Sequence, residues 1–295
     1  MSDEGGVTPT NLVYLTRSGR GWPSVLDTIE ASPGELWLRG RPELLAFEPR
    51  VAVIGTRAPT PYGDGQARRF ASALARAGVV VVSGLARGID SAAHEAALEA
   101  GGATIGVLGS GVDCPWPAGP LAERMALEGL LLSEYAPGTA PRRHHFPERN
   151  RLISGLCSAV VVIEAAAASG SLITARWAID QGRSVHALPG RVDHPMARGC
   201  HRLLREGAWL VEDPEEVLAE LGIAPLSGSA RGDEARSVPD ETCALLDTLR
   251  GESLSADELA ERTGRALTDV LSTLVELEVA GCVIRGTGAI YRLAP

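Results

Sequence analysis

Four arginines fall within the ten residues Arg142-Arg143-His144-His145-Phe146-Pro147-Glu148-Arg149-Asn150-Arg151, and one of the chain's three phenylalanines stands among them. A guanidinium offers a planar fork for phosphate oxygens and an aromatic face stacks a base, so the cluster suits a phosphate backbone with an unpaired base beside it. A solvated basic loop is the alternative, but it would have no use for Phe146. Zinc chemistry at His144 and His145 fails, because adjacent histidines have no Cys or carboxylate partner at ligand spacing. Three other stretches have the composition of anion cradles. In Gly55-Thr56-Arg57 a glycine lets a ligand approach the backbone two residues before an arginine, although a tight turn with a solvated arginine would look the same. In Ser83-Gly84-Leu85-Ala86-Arg87-Gly88-Ile89-Asp90 two glycines precede a helix whose amides and dipole attract anions, with Asp90 or Ser91 as the N-cap. Ser169-Gly170-Ser171 sets hydroxyls and a glycine at another helix start, which also reads as ordinary capping. His94, one turn after Asp90, reads as a packing histidine rather than half of an acid–base pair. Glu164, ending a strand, is either a buried catalytic carboxylate or the ion-pair partner of an arginine from 142–151.

Such loops must be gathered by a scaffold. From Arg50 onward the apolar runs Val51–Gly55, Val79–Ser83, Thr104–Leu108, Leu130–Ser133, Ala159–Ile163 and Ser184–Leu188 have strand length. Between them Ala67–Ala77, Ser91–Ala100, Leu121–Glu128 and Leu172–Gln181 repeat apolar positions at three and four. Val-rich strands joined by helices predict an α/β fold, a doubly wound and mostly parallel sheet over 50–222, closed by a helix at Pro214–Leu221. In such a sheet, ligands collect beyond the carboxyl ends of the strands, where the cradles fall. Residues 1–49, with two tryptophans, Pro23 and Pro33, read as a short irregular lead-in with short helices. Residues 223–240, rich in Pro, Gly, Ser and charge, read as a linker. In 241–295, helices at Glu241–Leu249, Ser255–Thr263 and Leu267–Val279 and a hairpin of Cys282–Arg285 with Ala289–Leu293 predict a small winged-helix domain. Ser255 and Asp257 are its capping candidates. Modules of this kind commonly touch DNA, yet this one is acidic, so contact with protein is preferred over contact with DNA.

Composition narrows the chemistry. The chain has 295 residues and 45% hydrophobic content, and no apolar run approaches the roughly 20 residues of a membrane span. The opening MSDEGG is no signal peptide. Five scattered cysteines without a CxxC pair predict neither a disulfide framework nor a cysteine zinc site, and fit a reducing cytoplasm. All 28 basic residues are arginine, which excludes a P-loop ATPase of the GxxxxGK[ST] type and any Schiff-base enzyme. The net charge of −9 is local: residues 212–261 hold 14 Asp and Glu against three Arg, whereas 50–205 hold 17 Arg against 12 acids. Whole-chain acidity therefore does not argue against a nucleic-acid partner. With no GxSxG elbow and no HExxH, the sequence offers anion cradles without an evident nucleophile, metal or cofactor, which favours binding over catalysis.

Taken together, VAVIGTRAPTPYG at 51–63, VVSGLARGIDSAAHEAAL at 81–98, GVLGSGVDCPWP at 106–117, LLSEYAPG at 131–138, FPERNRLISGL at 146–156 and VVIEAAAASGSLITARWAIDQGRSVHALPG at 161–190 resemble the DprA/Smf family of DNA-processing proteins. The resemblance implies an extended Rossmann-like domain, usually dimeric, that binds and protects single-stranded DNA and loads the RecA recombinase in natural transformation. Matched by position, it implies that Arg57 and Arg143 grip phosphates with Phe146 and Asn150 beside them, while Arg149, Arg151, Ser169, Gly170 and Ser171 complete the pocket. Gly55, Thr56, Gly84, Arg87, Gly88 and Arg142 join the expected DNA-binding set through their own cradles. The last 55 residues resemble the winged-helix tail of some members. A Rossmann-type, nucleotide-processing phosphoribohydrolase also places a glycine-rich nest after a strand ending in Glu, but such a site needs an acidic pocket around ribose. If about five phosphates are neutralised, log K should fall with log salt at a slope near −3.5.

Overall fold

The computed structural model describes residues 12–223, 245, 246, 248, 249, 252–279, 282–286 and 290–293. In the first of two units, which divide at 226/227, the strands are β1 (Leu12–Thr16), β2 (Glu35–Gly40), β3 (Arg50–Ile54), β4 (Val80–Ser83), β5 (Thr104–Val107), β6 (Leu130–Ser133), β7 (Ala159–Val162), β8 (Ser184–Ala187) and β9 (Trp209–Leu210). They form one sheet in the order β1-β2-β6-β5-β4-β3-β7-β8-β9, parallel from β6 to β9 and antiparallel at β1–β2 and β2–β6. The helices are α1 (Pro61–Arg76), α2 (Ile89–Glu99), α3 (Pro120–Glu128), α4 (His145–Gly155), α5 (Ser171–Asp180), α6 (Arg198–Arg205) and α7 (Pro214–Glu220).

Strand alternation sorts the core into two layers. Ala52, Ile54, Val160 and Val162 pack with Leu152 and Ile153 of α4, Ala175 of α5 and Leu203 of α6. Val51, Val53 and Val161 face the other way, onto Phe70 of α1, Ala93 of α2 and Val217 of α7. Each fully buried Val or Phe contributes roughly 1.5–3 kcal/mol, so both faces of the central strands are committed.

The stretch before Arg50 differs from expectation. It is not an irregular lead-in alone, because β1 and β2 extend the sheet, with Trp37 opposite Ser133 of β6 and Leu36 and Leu38 fully buried. A short 3-10 turn at Ser24–Thr28 connects β1 to β2, and another at Pro42–Ala46 leads from β2 to β3. Arg50 is buried at the start of β3 and donates to the carbonyls of Leu45 (2.8 Å), Phe47 (3.0 Å) and Leu156 (2.6 Å), fastening the entering segment to the end of α4.

The second unit holds β10 (Leu254–Ser255), α8 (Ala256–Thr263), α9 (Leu267–Val279), β11 (Val283–Arg285) and β12 (Ile290–Leu293), its sheet ordered β10-β12-β11. Leu245, Leu249, Leu259, Val270, Leu274 and Tyr291 form its core. Ser255 caps α8 as expected: its Oγ accepts from the Glu258 amide while Glu258 accepts from the Ser255 amide at 2.8 Å. The expected linker beyond Ile223, and most of the expected helix at Glu241–Leu249, lie outside the described residues. Among the described residues no helix is long and apolar enough to cross a membrane.

Candidate nucleic-acid interface

β4 and β7 flank β3 on opposite sides, and the chain leaving β3 turns to one face of the sheet while the chain leaving β7 turns to the other. That divergence opens a crevice at the carboxyl end of the sheet, the usual ligand position in a doubly wound fold. A cleft of about 920 Å³ lies there, lined by Gly55, Thr56 and Arg57 after β3, Ala86 and Asp90 after β4, Trp116, Arg142, Arg143, Phe146, Arg149 and Asn150, and Ser169, Gly170 and Ser171 after β7. Residues from all four candidate stretches therefore meet in one place. Gly84, Arg87, Gly88 and Arg151 are not among the lining residues.

Burial divides the arginines into two kinds. Arg57, Arg142 and Arg143 are exposed, and among the described residues none of them has an ion-pair partner. The Arg57 guanidinium lies 5.7 Å from the centroid of the half-buried Phe146 ring, a cation–π contact that keeps the fork and the ring together. Arg149 is 3% exposed, and its Nη1 donates to the carbonyls of Gly84 at 2.7 Å and Val107. Gly84 permits this insertion, because a Cβ there would overlap the guanidinium. Burial lowers the Arg149 guanidinium to about 10, with Asp90 opposing the shift, so it stays charged at neutral pH. Burial also raises the Asp90 carboxyl, opposed by Arg149 and by hydrogen bonds to loop amides. Arg151 forms a two-pronged pair with Glu134 at 2.7 and 2.6 Å and donates to the Ala31 carbonyl at 2.9 Å. Of the two arginines expected to complete the pocket, Arg149 lines the cleft and braces its floor, while Arg151 is not among the lining residues and locks α4 to its neighbours. Asn150 reaches from α4 to the Gly170 carbonyl at 3.4 Å.

The helix starts also differ in detail. α2 is capped by Gly88, not by Asp90 or Ser91; Asp90 instead accepts from the Gly84 amide at 3.1 Å and the Ala86 amide at 3.4 Å. Gly88 has φ +84° and would place a Cβ 2.5 Å from the Thr56 carbonyl oxygen, so the β3 and β4 loops touch through it. α5 begins at the cleft wall with its positive dipole end, yet its first amides are used locally, Ser171 by Ser169 Oγ and Leu172 and Ile173 by the carbonyls of Ser169 and Gly170. Hydroxyls and dipole, rather than a row of vacant amides, are what this end offers an anion.

Among the described residues Glu164 pairs with no arginine. Its carboxylate accepts from the Thr60 amide at 2.9 Å and the Thr60 hydroxyl at 2.6 Å, tying the end of β7 to the start of α1. His94 is fully buried against the Thr104 hydroxyl at 2.7 Å, and burial lowers its imidazole to about 3, the packing histidine expected. Among the described residues no group of three or more His, Cys, Asp or Glu is placed to hold a metal ion. Trp116 on the cleft wall was not anticipated as a site residue. A tryptophan between two prolines in the loop after β5, a poor candidate for the core, was the signal available.

The sequence model of the DNA recombination-mediator protein A family matches residues 13–222, and that of the DprA winged helix domain matches residues 229–289. Protein Smf of Escherichia coli is 41% identical over 282 residues, covering 92% of this chain and 74% of that protein. The crystal structure of DNA processing protein A from Streptococcus pneumoniae is similar with a TM-score of 0.68 and 42% identity, covering 72% of this chain and 75% of that one. DNA processing protein A from Helicobacter pylori, whose structure is described for its single-stranded DNA binding mode, superposes with a TM-score of 0.65 and 31% identity over 71% of this chain and 95% of that one.

Proposed function

Because this chain belongs to the DNA recombination-mediator protein A family, we propose that it binds single-stranded DNA in the cleft between the β3 and β7 loops. The observation that carries the reading is the meeting of three exposed, unpaired arginines, Arg57, Arg142 and Arg143, with the half-buried ring of Phe146 in one cleft. Phosphates lie on the guanidinium forks and a base stacks on Phe146, an arrangement that needs unpaired bases and reads little sequence. Arg149 adds fixed positive charge beneath the strand without contacting it, while Asn150, Ser169 and Ser171 supply neutral polar contacts. The similarity to a Helicobacter pylori protein described for single-stranded DNA binding supports the same reading. The protein acts by binding rather than by catalysis, as a homodimer in DNA recombination during natural transformation, where it protects the strand and delivers it to the RecA recombinase.

A phosphoribohydrolase reading has little to work with. Its two carboxylate candidates are both engaged, Glu164 with Thr60 and Asp90 with the Gly84 and Ala86 amides. The test is competition: a labelled single-stranded oligonucleotide bound to the full chain should be displaced by unlabelled single strand of unrelated sequence and poorly by the matching duplex. Equal or better displacement by duplex would overturn the proposal.

A further inference from the structure

The cleft is lined by a second aromatic, from the loop after β5. Trp116 is 50% exposed and lines the same cleft as Arg142, Arg143 and Phe146. A half-exposed tryptophan in a cleft lined by arginines offers a broad aromatic face on which a base can stack.

Its loop is firmly held. Asp113 accepts from the Gly138 amide at 2.9 Å, Gly111 donates to the Thr139 carbonyl at 2.9 Å, and Ser110 Oγ donates to the Cys114 carbonyl at 2.9 Å. Residues 110–114 are thereby pinned to 136–139, the segment that leads directly into Arg142 and Arg143. Pro115 and Pro117 stiffen the backbone on either side of the ring. The same loop begins at Gly109, against which the Phe146 ring packs. One braced loop thus backs one aromatic and presents the other.

We propose that Trp116 is a second base-stacking platform, so that a strand whose phosphates lie on Arg142 and Arg143 is held by stacking on both Phe146 and Trp116. The inference rests on single-strand binding in this cleft. Stacking on a rigid ring tolerates every base and costs little side-chain ordering, which suits a sequence-independent binder.

The test uses the full chain, an oligothymidylate and an abasic oligonucleotide of equal length, followed by affinity and by tryptophan fluorescence. Trp116→Ala should weaken oligothymidylate binding about 5- to 100-fold, the range for one lost base–aromatic stack, and leave abasic binding unchanged. Trp116→Phe should keep affinity within about threefold while removing most of the tryptophan quenching that the oligonucleotide causes. Trp209→Phe, at the far sheet edge and also exposed, should alter neither. Unchanged affinity in Trp116→Ala, equal losses on both oligonucleotides, or undiminished quenching in Trp116→Phe would overturn the proposal. So would a fall in oligomeric mass in Trp116→Ala with base-dependent binding intact, which would make the ring a contact between copies. Failure of the wild type to bind either oligonucleotide would instead overturn the single-strand reading on which the inference stands.

Discussion

Arg57 and Arg149 both border the cleft, yet removing them should have opposite consequences. Arg57 is exposed and without an acceptor, so Arg57→Ala should weaken oligonucleotide binding by roughly 1–3 kcal/mol, and Arg143→Ala likewise, with melting temperatures unchanged. Arg149→Ala removes the charge that compensates buried Asp90 and strands the Gly84 and Val107 carbonyls, so it should lower unfolding stability by about 3–5 kcal/mol, read by urea denaturation. Equal melting temperatures for all three variants would contradict this division. His94 makes a pH prediction. Unfolded it titrates near 6.5 and folded near 3, so between those values the unfolded chain holds the extra proton. Its contribution is therefore full above pH 6.5 and is lost as pH falls, at up to about 1.4 kcal/mol per unit. His94→Asn should flatten stability against pH between about 5 and 6.5; an unchanged slope would show that His94 carries no such linkage. The chemistry of these residues was legible in the sequence, but not which guanidinium was already spent. Gly84, Val107, Ala31 and Glu134, which accept from Arg149 Nη1 and from Arg151, lie far off in the chain or carry no side chain that announces the bond.

At the scale of elements, the cleft depends on how two loops meet. Gly88 lies in the left-handed region and against the Thr56 carbonyl, so Gly88→Ala should cost about 1–3 kcal/mol of stability and weaken oligonucleotide binding by displacing Arg57. A variant with normal melting and normal affinity would show that the loops are not coupled there. The central strands were readable because burial on both faces leaves uninterrupted Val-rich runs. β2 was not, because only Leu36 and Leu38 are fully buried and prolines flank its surroundings. α4 was also missed as a helix, since its inward face carries His145, Arg149, Asn150 and Arg151 where a periodic apolar stripe is expected. Partners on other elements replace the hydrophobic pattern: Gly109 for His145, β5 for Arg149, Gly170 for Asn150 and Glu134 for Arg151. A functional helix of this kind is visible in sequence only as a charge cluster.

Across the whole molecule, acid is densest in the second unit: residues 227–295 hold seven Arg against 12 Asp and Glu, whereas 1–226 hold 21 Arg against 25. α9 carries Asp269, Glu276 and Glu278 and no arginine, and Arg262 in the second unit is paired with Glu252 at 2.8 Å. Arg285 and Arg292 are exposed on the hairpin, but acids outnumber arginines in this unit, so truncation after Ile223 should leave single-strand affinity within about tenfold, roughly 1.4 kcal/mol, provided the oligomeric state is unchanged. A loss beyond a hundredfold at constant oligomeric mass would place a DNA contact in the winged-helix unit. The cleft itself makes the sharper quantitative claim. Three exposed arginines, not five phosphate ligands, remain once Arg149 and Arg151 are committed internally. The direct measurement is the affinity of the full chain for a single-stranded oligonucleotide across a salt series, repeated with the double variant Arg57→Ala/Arg143→Ala. At about −0.7 per neutralised phosphate, the slope of log K against log salt should be near −2 for the wild type and near −0.7 for the double variant. A wild-type slope near zero, or a slope that the double variant leaves unchanged, would contradict binding at this cleft.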